Sequence, residues 1–121
     1  MKRLYVCGSF RFMREMEGLE RRLKEKGIRY QISRKMNSRG ILGCLKKIDG
    51  ADVVYIVNPG GYVGRSVSVD IGYACAKKKS VYVMEKVNDP PVMDLVNGVL
   101  SLDELVDFLK ESSPDQMRVQ S

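Results

Sequence analysis

The chain has 121 residues, of which 44% are hydrophobic and 30% charged, and a formal net charge of +6 at pH 7. This length predicts a single domain over residues 1–112, with a core of its own, and a frayed polar tail at 113–121. The chain contains no histidine. Ser-His and Cys-His nucleophiles and histidine metal sites are therefore excluded, and acid–base chemistry must use Asp, Glu, Tyr, Lys or Cys.

The same composition also limits which cellular locations and which partners are to be expected. No apolar run is long enough to cross a membrane, and the N-terminus has the pattern of a strand rather than of a secretory leader. The cysteines, Cys7, Cys44 and Cys75, are odd in number and widely spaced, which argues against disulfides and a zinc site and favours small buried side chains. We therefore expect a cytoplasmic protein without a metal or cofactor and without a membrane partner.

The positive charge is concentrated at residues 21–26, 29–35 and 77–79. It favours anionic partners in general. No aromatic residues interleave with the basic ones as stacking platforms for bases would, so the sequence argues against nucleic acid as a partner. Solvated helix faces and loops account for the same runs.

The first half of the chain alternates strand and helix patterns. Residues 3–7 predict a first strand, and apolar residues at three- or four-residue intervals over 12–23 predict an amphipathic helix that Gly27 ends. Residues 28–33 alternate between apolar and polar, which predicts a second strand at the edge of the sheet. A loop is expected at 34–40, before a short helix whose apolar stripe comprises Ile41, Leu45 and Ile48.

The second half continues the alternation. Val53–Val57 is the most apolar strand and should be central. The stripe of the next helix comprises Val67, Ile71 and Ala74, and residues 80–84 and 98–100 predict two further strands. Ser101 and Glu104 match a capping box at the start of the final helix.

Strands that alternate with helices of this length predict a parallel sheet covered on both faces. Five strands in a chain of this size suggest an α/β, flavodoxin-like three-layer sandwich with strand order 2-1-3-4-5. Its ligand crevice lies at the C-terminal ends of strands one and three, where the winding reverses. The turn containing Gly8, Ser9 and Arg11 follows strand one, and a glycine-rich turn, 58–64, follows strand three. Both loops are therefore expected at the crevice.

The glycine-rich turn leads into the third helix, an arrangement that leaves backbone N–H groups available to an anion such as phosphate. Asp70 lies early in that helix and is a candidate nucleophile, although a helix N-terminus also stabilises an acid without any function. Alternatives stay open for the neighbouring candidates. The glycines at 60, 61 and 64 either admit phosphate or form a plain turn, and Asn58 either contacts a sugar hydroxyl or forms an Asx-turn. Tyr62 either stacks on a base or caps the loop.

Four stretches in order carry a family resemblance: Tyr5-Val-Cys-Gly-Ser-Phe-Arg11, Ala51-Asp-Val-Val54, Gly64-Arg-Ser-Val-Ser-Val-Asp-Ile-Gly-Tyr-Ala-Cys-Ala76 and Val81-Tyr-Val83. Over residues 4–83 the chain resembles the nucleoside 2-deoxyribosyltransferase superfamily, and within it the nucleoside 5′-monophosphate N-glycosidases. The resemblance implies cleavage of the bond between a base and C1′ of the sugar by a carboxylate, with hydrolysis or transfer to a second base.

The resemblance also implies roles for individual residues. The family's carboxylate, usually Glu, falls on Asp70, and the tyrosine that hydrogen-bonds it falls on Tyr5. The Asp that acts near the leaving base in many members falls on Cys44. The positions that surround the nucleotide are Gly8, Ser9, Arg11, Gly64 and Ser66, with Arg65 beside them. A homodimer with a partner subunit closing the site is implied as well, and a nucleotide-binding or sensing domain without catalysis is the alternative function.

Overall fold

The computed structural model describes residues 2–33 and 40–111; the tail expected at 113–121, and all but Gly40 of the loop expected at 34–40, lie outside these residues. Strands and helices alternate in the order β1 (Leu4–Gly8), α1 (Met13–Glu25), β2 (Tyr30–Ile32), α2 (Gly40–Asp49), β3 (Val53–Val57), α3 (Arg65–Ala76), β4 (Ser80–Val83), α4 (Pro90–Met93), β5 (Gly98–Val99) and α5 (Leu102–Glu111). Short 3₁₀ turns occupy Phe10–Phe12 after β1 and Pro59–Gly61 after β3.

The five strands form one parallel sheet in the order β2-β1-β3-β4-β5. This order confirms the predicted α/β flavodoxin-like sandwich, with β3 in the centre and β2 at an edge. All five residues of β3 are buried, as expected for a strand covered on both faces. No helix among the described residues is long and apolar enough to cross a membrane.

Side chains of β1 alternate between the two faces of the sheet. Leu4 and Val6 belong to the core formed with α1 and α5. Tyr5 and Cys7 belong to the core formed with α2 and α3. This alternation places Tyr5 and Cys7 on the same side of the sheet as Asp70, which is on the buried face of α3.

Local details agree with the sequence patterns except at a few positions. Ser101 and Glu104 form the predicted capping box, with N–H to side-chain oxygen distances of 2.9 and 3.1 Å. Phe12 lies in the 3₁₀ turn that precedes α1 rather than in the helix. The prediction that Cys75 is buried was wrong: it is exposed, because the sheet-facing side of α3 is made by Val67, Asp70, Ile71 and Ala74.

Candidate functional site

A cavity of about 650 Å³ opens at the C-terminal ends of β1 and β3, where the strand order reverses. Ligand crevices of open α/β sheets lie at this position. Its walls come from the turn after β1, the residue after β2, the first turns of α2 and the start of α3. The lining residues are Gly8, Ser9, Phe10, Ser33, Gly40, Ile41, Cys44, Tyr62, Gly64, Arg65, Ser66, Val67 and Asp70.

Asp70 is the acidic residue of this lining. It is 3% exposed, and its Oδ1 has no hydrogen-bond partner among the described residues. Burial raises the pKa of Asp70 to about 7, because desolvation penalises the charged form. A buried carboxyl group without a partner lowers stability, so packing alone does not account for this residue.

Tyr5 is fully buried on the same face, and its hydroxyl also has no hydrogen-bond partner among the described residues. The Tyr5–Asp70 hydrogen bond that the family resemblance implies is therefore not made in this structure. Burial, above all, raises the pKa of Tyr5. Its hydroxyl is thus a neutral donor throughout the physiological range.

Two thiols lie close to this pair. Cys7 is 1% exposed, and burial, above all, raises the pKa of its thiol, with smaller electrostatic contributions from the neighbouring Asp70 and Cys44. Cys44 lines the cavity from α2, and its Sγ lies 3.9 Å from Ser33 Oγ. In the described part of the chain, no three His, Cys, Asp or Glu side chains converge to hold a metal ion.

The start of α3 forms the polar wall of the cavity. Gly64 is its N-cap residue and provides no side-chain cap, and the first helical bond runs from Ser68 N–H to the Gly64 carbonyl. The N–H groups of the three residues in between, Arg65, Ser66 and Val67, consequently have no helical acceptor. All four residues from Gly64 to Val67 line the cavity. A negatively charged group is favoured there by these donors and by the helix dipole.

The turn after β1 approaches β3 very closely at Gly8. A Cβ added at Gly8 would lie 2.6 Å from the Val57 carbonyl oxygen, so a side chain would force the two central strands apart. Ser9 caps the 3₁₀ turn that follows, with its Oγ accepting from Arg11 N–H at 3.4 Å. Gly8 and Ser9 both line the cavity, as their place in the topology predicts.

Arg11 lies outside the lining and stacks on an aromatic residue of the rim. Its guanidinium carbon is 4.6 Å from the centroid of the Tyr62 ring, and this ring meets Phe12 edge-on at 6.0 Å. Tyr62 is 41% exposed and lines the cavity. Arg11 thus holds Tyr62 at the mouth of the cavity.

Two of the sequence candidates, Asn58 and Gly61, do not line the cavity. They take part instead in hydrogen bonds that link the β3–α3 turn to the segment after β4. Asn58 is fully buried, and its amide donates to the Glu85 carbonyl at 2.7 Å and accepts from Glu85 N–H at 2.9 Å. The carboxylate of Glu85 accepts from Gly60 N–H at 3.0 Å, and Gly61 N–H donates to the Asn58 carbonyl. These polar groups are occupied within the protein rather than turned toward the cavity.

Five lining residues were not among the sequence candidates for the site: Phe10, Ser33, Gly40, Ile41 and Val67. Ser33 directly follows β2, so it lies at the same sheet edge as the two loops that the sequence singled out. The sequence feature that could have indicated Ser33 as a site residue is its position directly after the predicted edge strand. Phe10 and Ile41, at 44% and 38% exposure, are large apolar side chains that border the cavity.

Comparison with protein-family models and with curated proteins gives no match for this chain. Solved structures do resemble it. A conserved protein from Enterococcus faecalis V583 has a TM-score of 0.68 at 16% identity, covering 93% of this chain and 99% of its own. The CMP N-glycosidase BcmB of Clostridium botulinum has a TM-score of 0.55 at 17% identity, covering 90% and 98%.

A third structure, the sugar isomerase domain of an RpiR transcription factor from Sphaerobacter thermophilus, has a TM-score of 0.62 at 16% identity, over 88% of this chain and 66% of that one. At these identities the similarities show a shared fold. One of the proteins that share it is an N-glycosidase, and another carries a sugar isomerase domain. Function must therefore be argued from the cavity itself.

Proposed function

We propose that this protein cleaves the base–C1′ bond of a nucleoside or nucleoside 5′-monophosphate, as an N-glycosidase or a deoxyribosyltransferase. The observation that carries the proposal is the carboxyl group of Asp70, which is buried, has no partner at Oδ1 among the described residues and lines a cavity of about 650 Å³. Retaining glycosyl transfer needs one carboxylate that faces the anomeric carbon in a site that excludes bulk water. The N-glycosidase among the structures of this fold supports the same reaction class.

In this reaction an Asp70 oxygen forms a bond to C1′ while the C1′–nitrogen bond breaks and its electron pair leaves with the base. The leaving base takes up a proton. Water, or a second base, then attacks C1′ with loss of a proton, so that no net proton is consumed, and the bond between Asp70 and C1′ breaks to regenerate the carboxylate. The hydroxyl of Tyr5, neutral and without a partner among the described residues, is available as a donor in the buried cluster that also contains Cys44 and Val67. Cys44 occupies the position of the family's acid and lines the cavity.

A 5′-phosphate would occupy the start of α3. The N–H groups of Arg65 and Ser66 have no helical acceptor, Gly64 leaves the approach open, and the exposed Arg65 side chain adds a cation. Gly8 and Ser9 face this wall from the turn after β1. A nucleotide substrate also agrees with the cytoplasmic location expected from the sequence.

The test is chromatographic detection of free base after incubation with a panel of ribo- and deoxyribonucleosides and their 5′-monophosphates. Asp70→Asn keeps the size of the side chain and removes the nucleophile, and Asp107→Asn, at an exposed position of α5, is the matched control. We expect base release by the wild type and by Asp107→Asn, and its loss in Asp70→Asn. Wild-type protein that releases no base from any member of the panel would refute the proposal.

A second function, nucleotide binding without cleavage, is favoured by one observation: the hydroxyl of Tyr5 makes no hydrogen bond to Asp70. A carboxylate that is not oriented by its tyrosine is a weaker nucleophile. Under this alternative the same nucleotides raise the melting temperature, and no base is released.

We further propose that two copies of the chain pack over the mouth of the cavity and close it. Three large exposed apolar side chains line the cavity: Phe10, Ile41 and Tyr62. Leu42 on α2 and Val69 on α3 are exposed as well, on two helices that contact each other and that both contribute to the lining; these five side chains form the apolar rim of the proposed interface. Exposed apolar surface next to a ligand cavity is typical of an interface.

A further inference from the structure

A second cavity, of about 680 Å³, lies at the opposite edge of the sheet, near the N-terminal ends of β1, β2 and β3. Its lining comes from the start of β1, the α1–β2 connection, β2 and the end of α2, and it shares no residue with the candidate functional site. The lining residues are Arg3, Leu4, Ile28, Arg29, Tyr30, Gln31, Lys46, Lys47, Gly50 and Ala51.

Of the described residues that line this cavity, all the charged ones are basic and none is a carboxylate. Arg3 is engaged by Asp52, with Nη2 at 3.2 Å from Oδ1. Lys47 donates to the Ile32 carbonyl at 3.3 Å and retains its other two hydrogens. Arg29 and Lys46 are exposed, and neither has a carboxylate partner among the described residues.

The dipole of α2 explains part of this charge but not all of it. Basic residues in the last turn of a helix offset the negative end of its dipole, and Lys46 and Lys47 are in that turn. Two of the terminal carbonyls of α2 already accept hydrogen bonds, from Gly50 N–H and Ala51 N–H. Arg29 belongs to the α1–β2 connection, where the α2 dipole gives no reason for a cation.

We propose that this cavity is a second ligand site, which binds a small anion carrying two or more negative charges, such as pyrophosphate or the polyphosphate chain of a nucleotide. Arg29 offers a planar fork of N–H donors to phosphate oxygens, and Lys46 and Lys47 add ammonium groups from the facing helix. Gln31, an exposed residue of β2, also lines this cavity and offers an amide donor. A concave basic cavity fits a compact anion, whereas a nucleic-acid strand needs a continuous basic track with stacking aromatics.

The test is a titration of the whole chain with inorganic pyrophosphate at constant ionic strength, followed by amide NMR shifts. We expect saturable shifts at residues 28–31 and 46–51. The double variant Arg29→Gln/Lys46→Gln should weaken the affinity by about tenfold or more. Its control, Lys78→Gln/Lys110→Gln, removes the same charge from two exposed positions elsewhere and should change it by less than about twofold.

Parallel titrations with inorganic triphosphate and with ATP identify the source of the anion. Equal affinities indicate that the phosphate chain alone is recognised, and a higher affinity for ATP indicates a nucleotide. Unsaturable shifts, equal losses in both double variants, or shifts confined to residues 8–9 and 64–67 would overturn the proposal. So would single-stranded RNA that binds the same residues with affinity rising with length, because the surface would then be a nucleic-acid interface. No base release is measured, so this outcome is independent of the proposed function.

Discussion

The burial of a single carboxyl group, Asp70, makes the candidate site chemically distinctive, and it has a consequence for stability. The folded pKa is about 7, above the unfolded value of about 3.9. Between these values the folded state retains a proton that the unfolded chain has released. The stability contributed by the protonated group is therefore complete below pH 4 and is lost as the pH rises to 7.

From this we predict that Asp70→Asn is more stable than the wild type at neutral and alkaline pH. The advantage should grow by about 1.4 kcal/mol for each pH unit between about pH 4 and pH 7, and stay constant above. Urea unfolding of both proteins across this range measures the difference. Parallel pH profiles for the two proteins would contradict the burial of Asp70, with Asp107→Asn as the reference for an exposed acid.

The same pKa predicts the pH dependence of base release. The nucleophile must be ionised, so kcat/KM should rise with pH, reach half its maximum near pH 7 and then level off. Initial rates in buffers of constant ionic strength between about pH 5 and pH 9 measure this profile. A rate that falls over this range would indicate that Asp70 acts in its protonated form, as an acid.

At the scale of elements, the turn between β3 and α3 holds the start of α3 at the cavity. Asn58 and the carboxylate of Glu85 tie this turn to the segment after β4. Asn88 adds two hydrogen bonds, from its side chain to the Gly60 carbonyl and from its N–H to the Gly61 carbonyl. These hydrogen bonds fix the conformation of the turn and thereby the orientation of Gly64 and of the N–H groups that follow it.

Substitution of the two adjacent glycines in this turn, Gly60 and Gly61, distinguishes the cost of backbone strain from the cost of a steric clash. Both have positive φ, 72° at Gly60 and 79° at Gly61. A Cβ at Gly60 would meet no atom of the described residues within 4 Å, whereas one at Gly61 would collide with the Lys86 carbonyl and lie 2.7 Å from Asn88 Oδ1. We predict a loss of about 1 kcal/mol for Gly60→Ala and of about 3 kcal/mol or more for Gly61→Ala in urea unfolding. Equal losses would show that segment 85–88 does not support the turn.

For the whole molecule, the proposed dimer depends on the apolar rim beside the cavity. Replacing Leu42 and Val69, which are 63% and 51% exposed, with lysine should yield a monomer, while the free energy of unfolding of the monomer changes by less than about 1 kcal/mol. Sedimentation equilibrium measures the mass. The matched control is Leu95→Lys/Val99→Lys, which replaces two exposed apolar residues elsewhere and should leave the dimer intact. A wild type that is monomeric would contradict the proposal.

Much of this architecture was predictable from the sequence, because it depends on local patterns. Alternating strand and helix periods gave the parallel sheet, and the apolar run Val53–Val57 gave the central strand with the bounds that the structure has. The stripe of α3 implied that Asp70 would share the buried face with Val67 and Ile71, since residues three and four apart lie on one face of a helix. Ser33 was not predicted as a site residue, because its proximity to Cys44 of α2 depends on how α2 packs against the sheet.

The sequence by itself determined the strand order and the sheet edge at which both candidate loops meet, because short right-handed connections leave few topologies open. Only the tertiary structure decided which polar atoms are already used and which face the cavity. The side-chain amide of Asn58 is hydrogen-bonded to the backbone of Glu85, 27 residues away. Asp70 Oδ1 and the Tyr5 hydroxyl, in contrast, have no partner in the described part of the chain. Hydrogen bonds form or fail over fractions of an ångström between segments distant in sequence, and no local pattern encodes such distances.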